Sequence, residues 1–193
     1  MINKLFLKHF KYKVLTNFIR IPIAFLLQSI IPRLLGPVAY GNYEFLHDLS
    51  IRVLSFLESG VSMGFVTKFN ENINNRKIIK YYSILFLVIS IFYFTVVFFL
   101  IKIDYSKYIW IDQELYWILL SVILGILVHL SSNILRLIDA YGLTVQGEKM
   151  RVIQLLISLL FTIIVYFTFS KISLVQFYYL QFIVFITLII GKF

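Results

Sequence analysis

Residues 41–66 read GNYEFLHDLSIRVLSFLESGVSMGFV. The stretch is long enough to cross a bilayer as a helix, and its Leu, Val and Phe content suits one. It also carries Glu44, His47, Asp48, Arg52 and Glu58. On one continuous helix with Glu44 at zero, Ser62 falls at about 0°, Ser55 at about 20° and Asp48 at about 40°. Arg52 falls at about 80°, Glu58 at about −40° and His47 at about −60°. The polar groups thus share an arc of about 140°. The opposite side is expected to hold Phe45, Leu54, Val61 and Phe65. A charge at the bilayer centre costs roughly 2.5–3.5 kcal/mol on insertion scales. The stripe is therefore expected to face a protein interior or a wet cavity.

The rest of the chain agrees with a membrane setting. Hydrophobic residues make up 61% of it and charged residues only 14%. A soluble domain is closer to half apolar and a quarter charged. The chain is therefore expected to be all-α and polytopic, with one six-helix transmembrane bundle. The expected spans are about 14–35, 41–66, 81–101, 115–137, 152–169 and 174–191. There is no cysteine among the 193 residues, which excludes disulfides, thiolate metal sites and cysteine nucleophiles. The net charge of +9 reads as topology-setting cations rather than a nucleic-acid surface.

Outward from the opening stretch, residues 1–13 place Lys4, Lys8 and Lys11 on one helical face opposite Phe6 and Phe10, as in an interfacial amphipathic segment. The first span puts Asn17, Arg20, Ala24 and Gln28 on one face, with Pro22 expected to kink the helix near Arg20. Arg20 either faces a binding site or reaches back to the headgroups. LLGPVAYG at 34–41 marks a tight turn. In the second span, Gly60 and Gly64 form a small-xxx-small pair. The third span has no charge, is apolar on all sides and is expected to be mostly lipid-exposed. Tyr105, Tyr108, Trp110, Tyr116 and Trp117 are expected to form an interfacial girdle. The fourth span aligns Ser121, Gly125, His129, Ser132 and Arg136, with Asn133 nearby. Residues 138–151 are expected to form a charged loop, and the last two spans are only mildly polar.

Lys and Arg set the orientation. Twelve of the 18 fall on the side of the N-terminus, the 2–3 and 4–5 connections and the C-terminus. Both termini are expected to be cytoplasmic. The candidate cavity is then Arg20, Arg52, Asn17, Gln28, His129, Asn133 and Arg136, with Glu44, Asp48 and Glu58 as candidates for coupling an ion or proton. Arginine suits diphosphate because its fork donates two parallel hydrogen bonds. Asp48 and Arg52, four residues apart, are equally placed to neutralise each other. Glu44 and Glu58 lie about 21 Å apart on a continuous helix, too far to act as paired carboxylates. His129 reads as a proton relay or a hydrogen-bonded structural residue. No enzyme signature is present: no phosphate loop, nucleophile elbow or metal-binding helix motif. No catalytic, metal or cofactor site is expected.

Two patches resemble a known family. LLGPVAYGNYEF followed by ESGVSMGFVTKFNE is similar to the start of the polysaccharide lipid flippases (O-antigen and capsule-unit transporters) of the multidrug/oligosaccharidyl-lipid/polysaccharide exporter superfamily. The matching residues are Gly36, Pro37, Tyr40, Gly41, Glu58 and Gly60. DAYGLTVQGEKMR resembles that family's connection between spans 4 and 5, through Thr144, Glu148, Lys149 and Arg151. The resemblance implies movement of a polyprenyl-diphosphate-linked oligosaccharide across a bacterial inner membrane by alternating access. It also implies lumen cations in the roles of Arg20 and Arg52. Family members have two bundles and this chain has the length of one, so it implies a truncated or split protein or a pair of copies. A cation-coupled antiporter of the same superfamily and a non-transporting membrane scaffold are the other readings.

Overall fold

A computed structural model describes residues 4–71, 76–169 and 171–190. Among them the chain is all-helical. The helices are α1 (Lys4–Leu35), α2 (Pro37–Leu57), α3 (Val61–Glu71), α4 (Arg76–Lys102), α5 (Ser106–Ile109), α6 (Leu115–Ala140), α7 (Thr144–Thr168) and α8 (Leu174–Ile190). Four are long and apolar enough to cross a membrane: α1, α4, α6 and α7. The pair α2 and α3 makes a fifth span if counted together, and α8 is a shorter apolar helix. By length and composition, several of these helices could span a membrane, which is consistent with a multi-pass membrane protein.

The expected second span is two helices. α2 ends at Leu57, a turn occupies residues 58–60, and α3 leaves at an angle of 50°. Gly60 has φ +84°, a left-handed conformation that a residue without Cβ adopts at little cost. The wheel drawn through residues 41–66 therefore stops at Leu57, and Ser62, Val61 and Phe65 belong to a separate helix. Gly36, also left-handed at φ +78°, is the one residue between α1 and α2, and Pro37 opens α2 where its missing N–H costs nothing. α1 continues through both Pro22 and Pro32. It also takes in residues 4–13; the side chains of Lys4 and Lys8 on the expected cationic face, and of Phe6 opposite it, lie outside the described ones. The expected 138–151 loop shrinks to residues 141–143, because α7 already begins at Thr144. The tail residues 191–193 and residues 72–75 of the 2–3 connection also lie outside the described ones.

The chain divides into two compact units. Residues 1–40 and 137–193 form one, and residues 41–136 the other. In the first, α1 lies along α7, and the backbone N–H of Ile172 donates to Leu34 O at 3.2 Å. Its interior holds Leu27, Leu34, Thr162, Phe177 and Tyr178. In the second, Leu46 and Leu54 of α2 pack with Tyr93 and Val97 of α4 and Ile118 and Val122 of α6. Trp110 joins this core, so it is a packing residue and not part of the expected girdle; Tyr105, Tyr108 and Tyr116 are exposed. Tyr93 Oη donates to Ser50 Oγ at 3.0 Å. α6 comes so close that a Cβ on Gly125 would stand 2.7 Å from Ser50 Cβ. α4 is mostly exposed, as its uniform hydrophobicity implies, but Tyr82, Ser90, Tyr93 and Val97 form a buried seam along it.

Candidate functional site

The second unit contains a buried polar cluster centred on Glu58. The turn after α2 directs this carboxylate inward, where it is 4% exposed. Its Oε1 accepts from Tyr82 Oη of α4 at 2.6 Å and from Arg136 Nη1 of α6 at 2.7 Å. His129 Nε2, also of α6, stands 3.1 Å from Oε2. Asn133 Oδ1 lies 3.0 Å from Tyr82 Oη and 3.2 Å from Arg136 Nη1. The tyrosine has one hydrogen, and the shorter contact to a charged acceptor takes it. Arg136 thereby links Glu58 and Asn133. Two aromatic rings close the cluster: Phe65 stacks on Tyr82 at 4.1 Å, and Phe86 on His129 at 5.3 Å. Asn133 Nδ2 is buried without a hydrogen-bond partner.

The arrangement is an ion pair with one auxiliary donor, Tyr82, and with His129 Nε2 close to Oε2 but not hydrogen-bonded. A buried carboxylate is retained only if a counterion and hydrogen bonds offset its lost hydration. Arg136 supplies the charge, and its side chain is 41% exposed. Glu58, His129, Asn133 and Arg136, predicted as cavity or coupling residues, thus meet one another. No group of three or more metal-ligating side chains occurs among the described residues.

The other predicted residues lie elsewhere. Asp48 and Arg52 pair on α2 at 3.3 Å, with side chains 55% and 80% exposed. They line a shallow groove of about 350 Å³ with Glu44, Phe45 and Leu49. Phe45 is thus beside the charges, not opposite them; at about 100° on the wheel it neighbours Arg52. Leu54 is buried on the far side. His47 is half-buried and stacks on Tyr43 at 5.2 Å.

Arg20, Asn17 and Gln28 belong to the first unit. Asn17 and Gln28 are exposed, and Arg20 Nη1 is 3.5 Å from Asn17 Oδ1. Arg20 Nη1 also lies 3.9 Å from Glu148 Oε2. Glu148, 2% exposed, is the centre of a second buried cluster. It accepts from Thr16 Oγ1 at 3.0 Å and from Arg151 Nη1, while Arg151 Nη2 reaches Asp139 Oδ2 at 3.0 Å.

Sequence reasoning missed Tyr82, Thr16 and Asp139 as site residues. Tyr82, Ser90 and Tyr93 recur at helical spacing, a hydroxyl-bearing seam that the absence of charge in the third span concealed. Thr16 lies one turn before Arg20, on the face that meets α7. No protein-family model, curated protein or solved structure matches this chain.

Proposed function

We propose that this chain is a membrane transporter, or half of one, for a polyprenyl-diphosphate-linked oligosaccharide. The observation that carries the reading is the outward face of α2. Asp48 and Arg52 stand exposed near the middle of α2, a helix that also carries Glu44 and His47. In lipid each charge costs roughly 2.5–3.5 kcal/mol, so this face belongs in water or against another polar surface. A wet wall bearing arginine suits a diphosphate headgroup, with Arg52 presenting the guanidinium fork. The Gly-Pro/Tyr-Gly entry and Glu-Ser-Gly exit of the same stretch supply the family resemblance and hence the cargo class. In this reading α1, the α2–α3 pair, α4, α6, α7 and α8 are six spans, forming one bundle like half of an exporter. The chain sits in a bacterial inner membrane with both termini cytoplasmic, and acts without enzymatic chemistry or a cofactor. A second half or a second copy completes the cavity.

The Glu58 cluster favours this reading over a cation-coupled antiporter. Tyr82 and Arg136 both donate to Glu58 Oε1, and Arg136 neutralises its charge, so the carboxylate already has a counterion of its own. Glu44 and Asp48 are the acids left for such a role. The direct test is reconstitution into vesicles with a fluorescent polyprenyl-diphosphate oligosaccharide. Transbilayer movement is expected to exceed that of empty vesicles by at least about tenfold. Arg52→Ala is expected to remove most of the excess. Movement no faster than in empty vesicles defeats the proposal.

A further inference from the structure

We infer that Glu58 is a proton-binding site, at which a bound proton neutralises the carboxylate in place of Arg136. The inference comes from counting hydrogens. Glu58 Oε1, Tyr82 Oη, Asn133 Oδ1 and Arg136 Nη1 form a closed ring, with successive contacts of 2.6, 3.0, 3.2 and 2.7 Å. Four contacts need four hydrogens. Arg136 Nη1 supplies two and the phenol one, so the ring is one short. The phenol gives its hydrogen to Glu58, which leaves Tyr82 Oη and Asn133 Oδ1 facing each other at 3.0 Å as two acceptors. Turning the Asn133 amide over does not help, because Nδ2 would then meet Arg136 Nη1, donor against donor. The orientation stands even though it leaves Nδ2 buried without a partner.

One proton fills the gap. It forms an O–H bond at Glu58 Oε1, and the neutral acid donates to Tyr82 Oη. The hydrogen of the phenol turns to Asn133 Oδ1. Every contact in the ring then holds a hydrogen, and no backbone has to move. A counterion keeps a second cation off Glu58, but a proton needs no room of its own. The surrounding groups fix where it goes. α4 offers Tyr82, α6 offers His129 and Arg136, and α3 contributes Phe65, stacked on Tyr82. Lys68 of α3 is exposed on an open groove beside Tyr82. His129 Nε2 stands 3.1 Å from Oε2, outside the ring, so a proton on the imidazole does not supply the missing hydrogen.

The proton also cancels the charge that holds Arg136. That side chain is 41% exposed, so its guanidinium can turn outward while the acid stays buried. Glu58 lies in the turn where α3 leaves α2 at 50°, and the exchange therefore acts at the break between those helices. A neutral medium ties the turn to α6 by an ion pair. Acid ties it to α4 by neutral hydrogen bonds and frees an arginine. The inference goes beyond the cargo proposal and does not depend on it.

Infrared difference spectra of the full chain in lipid vesicles test it. Acidification is expected to produce the carbonyl band of a buried carboxylic acid, which Glu58→Gln lacks and His129→Gln keeps. At the acidity where that band is half its full size, Asn133→Leu is expected to show no more than about a third of the wild-type band, because the phenol has lost its acceptor. Asn133→Leu removes an amide that already lacks a partner, so it serves as the test where Glu58→Gln does not fold. At neutral pH, Glu58→Gln imitates the protonated acid. Phenylglyoxal is then expected to modify Arg136 at least about fivefold faster than in the wild type, with exposed Arg33 as the reference. A band that survives in Glu58→Gln overturns the inference. So does a band lost in His129→Gln, equal bands in Asn133→Leu and the wild type, or equal modification of Arg136. Flux of the polyprenyl-diphosphate probe in the same vesicles separates the two readings. A band without flux leaves the proton site standing and defeats the cargo proposal, while flux without a band does the reverse.

Discussion

The two units solve the same problem by different routes. Each buries one glutamate among apolar helices, and each neutralises it with arginine. Glu148 finds its nearest guanidinium three residues along its own helix, at Arg151. It then gains Thr16 and Arg20 from α1, so two cations and a hydroxyl converge on it. Glu58 has no such local partner. Tyr82 is 24 residues away and Arg136 is 78 away, and both come from other helices. The difference is one of dependence. Glu148 meets a countercharge as soon as α7 is helical, whereas Glu58 meets one only when α6 has packed. The first cluster is redundant and the second rests on a single strong cation.

Arginine deletions measure that difference. Arg136→Ala is expected to have the largest effect. It leaves Glu58 buried with only a phenol and an imidazole, and costs about 3 kcal/mol, the low end for breaking a buried pair because Arg136 itself is partly exposed. Thermal unfolding of the detergent-solubilised protein should show a large drop in midpoint, and Glu58→Leu with Arg136→Leu should recover much of it. Arg151→Ala is expected to come second, at about 2 kcal/mol. It deprives two acids of one cation, but Glu148 keeps Thr16 and Arg20. If the two losses prove equal by the same melt, the claim of redundancy in the first unit is broken. Arg20→Ala is expected to be smallest, below about 1 kcal/mol, because its contact is 3.9 Å long and the side chain is over a third exposed. A drop as large as that of Arg151→Ala would make Arg20 the main counterion and reverse the order within that unit.

Much of the architecture was legible in residues taken singly. Runs such as SILFLVISIFYFTVVFFLI in α4 leave no alternative to a membrane-length helix. Gly36-Pro37 marked a helix junction because left-handed φ and a missing N–H each favour one end of a helix. The break after Leu57 was not legible by periodicity, since a wheel presupposes the continuity it is used to test. The signal was present in Glu58-Ser59-Gly60, where glycine can take the left-handed conformation that ends α2. The early start of α7 was hidden because Gln146, Glu148, Lys149 and Arg151 look like loop residues. They are helical because Glu148 is buried against Thr16 on α1. Of the candidate site, His129, Asn133 and Arg136 shared a face at helical spacing and were found. Tyr82 was not, because a hydroxyl within a run of Phe, Ile and Leu carries no weight until the acid it meets is known.

Gly125 sits beneath all of this as a pivot. No β-carbon fits between its α-carbon and Ser50, so α2 touches α6 almost backbone to backbone, midway between Leu46 and Leu54. The azimuth of α2 is therefore set from behind, by an inner glycine, and that azimuth aims Asp48 and Arg52 outward. A methyl group at residue 125 would meet Ser50 Cβ and push α2 away from α6, displacing the helix that carries two side chains it never contacts. The direction in which this helix points its charges is encoded on the helix behind it.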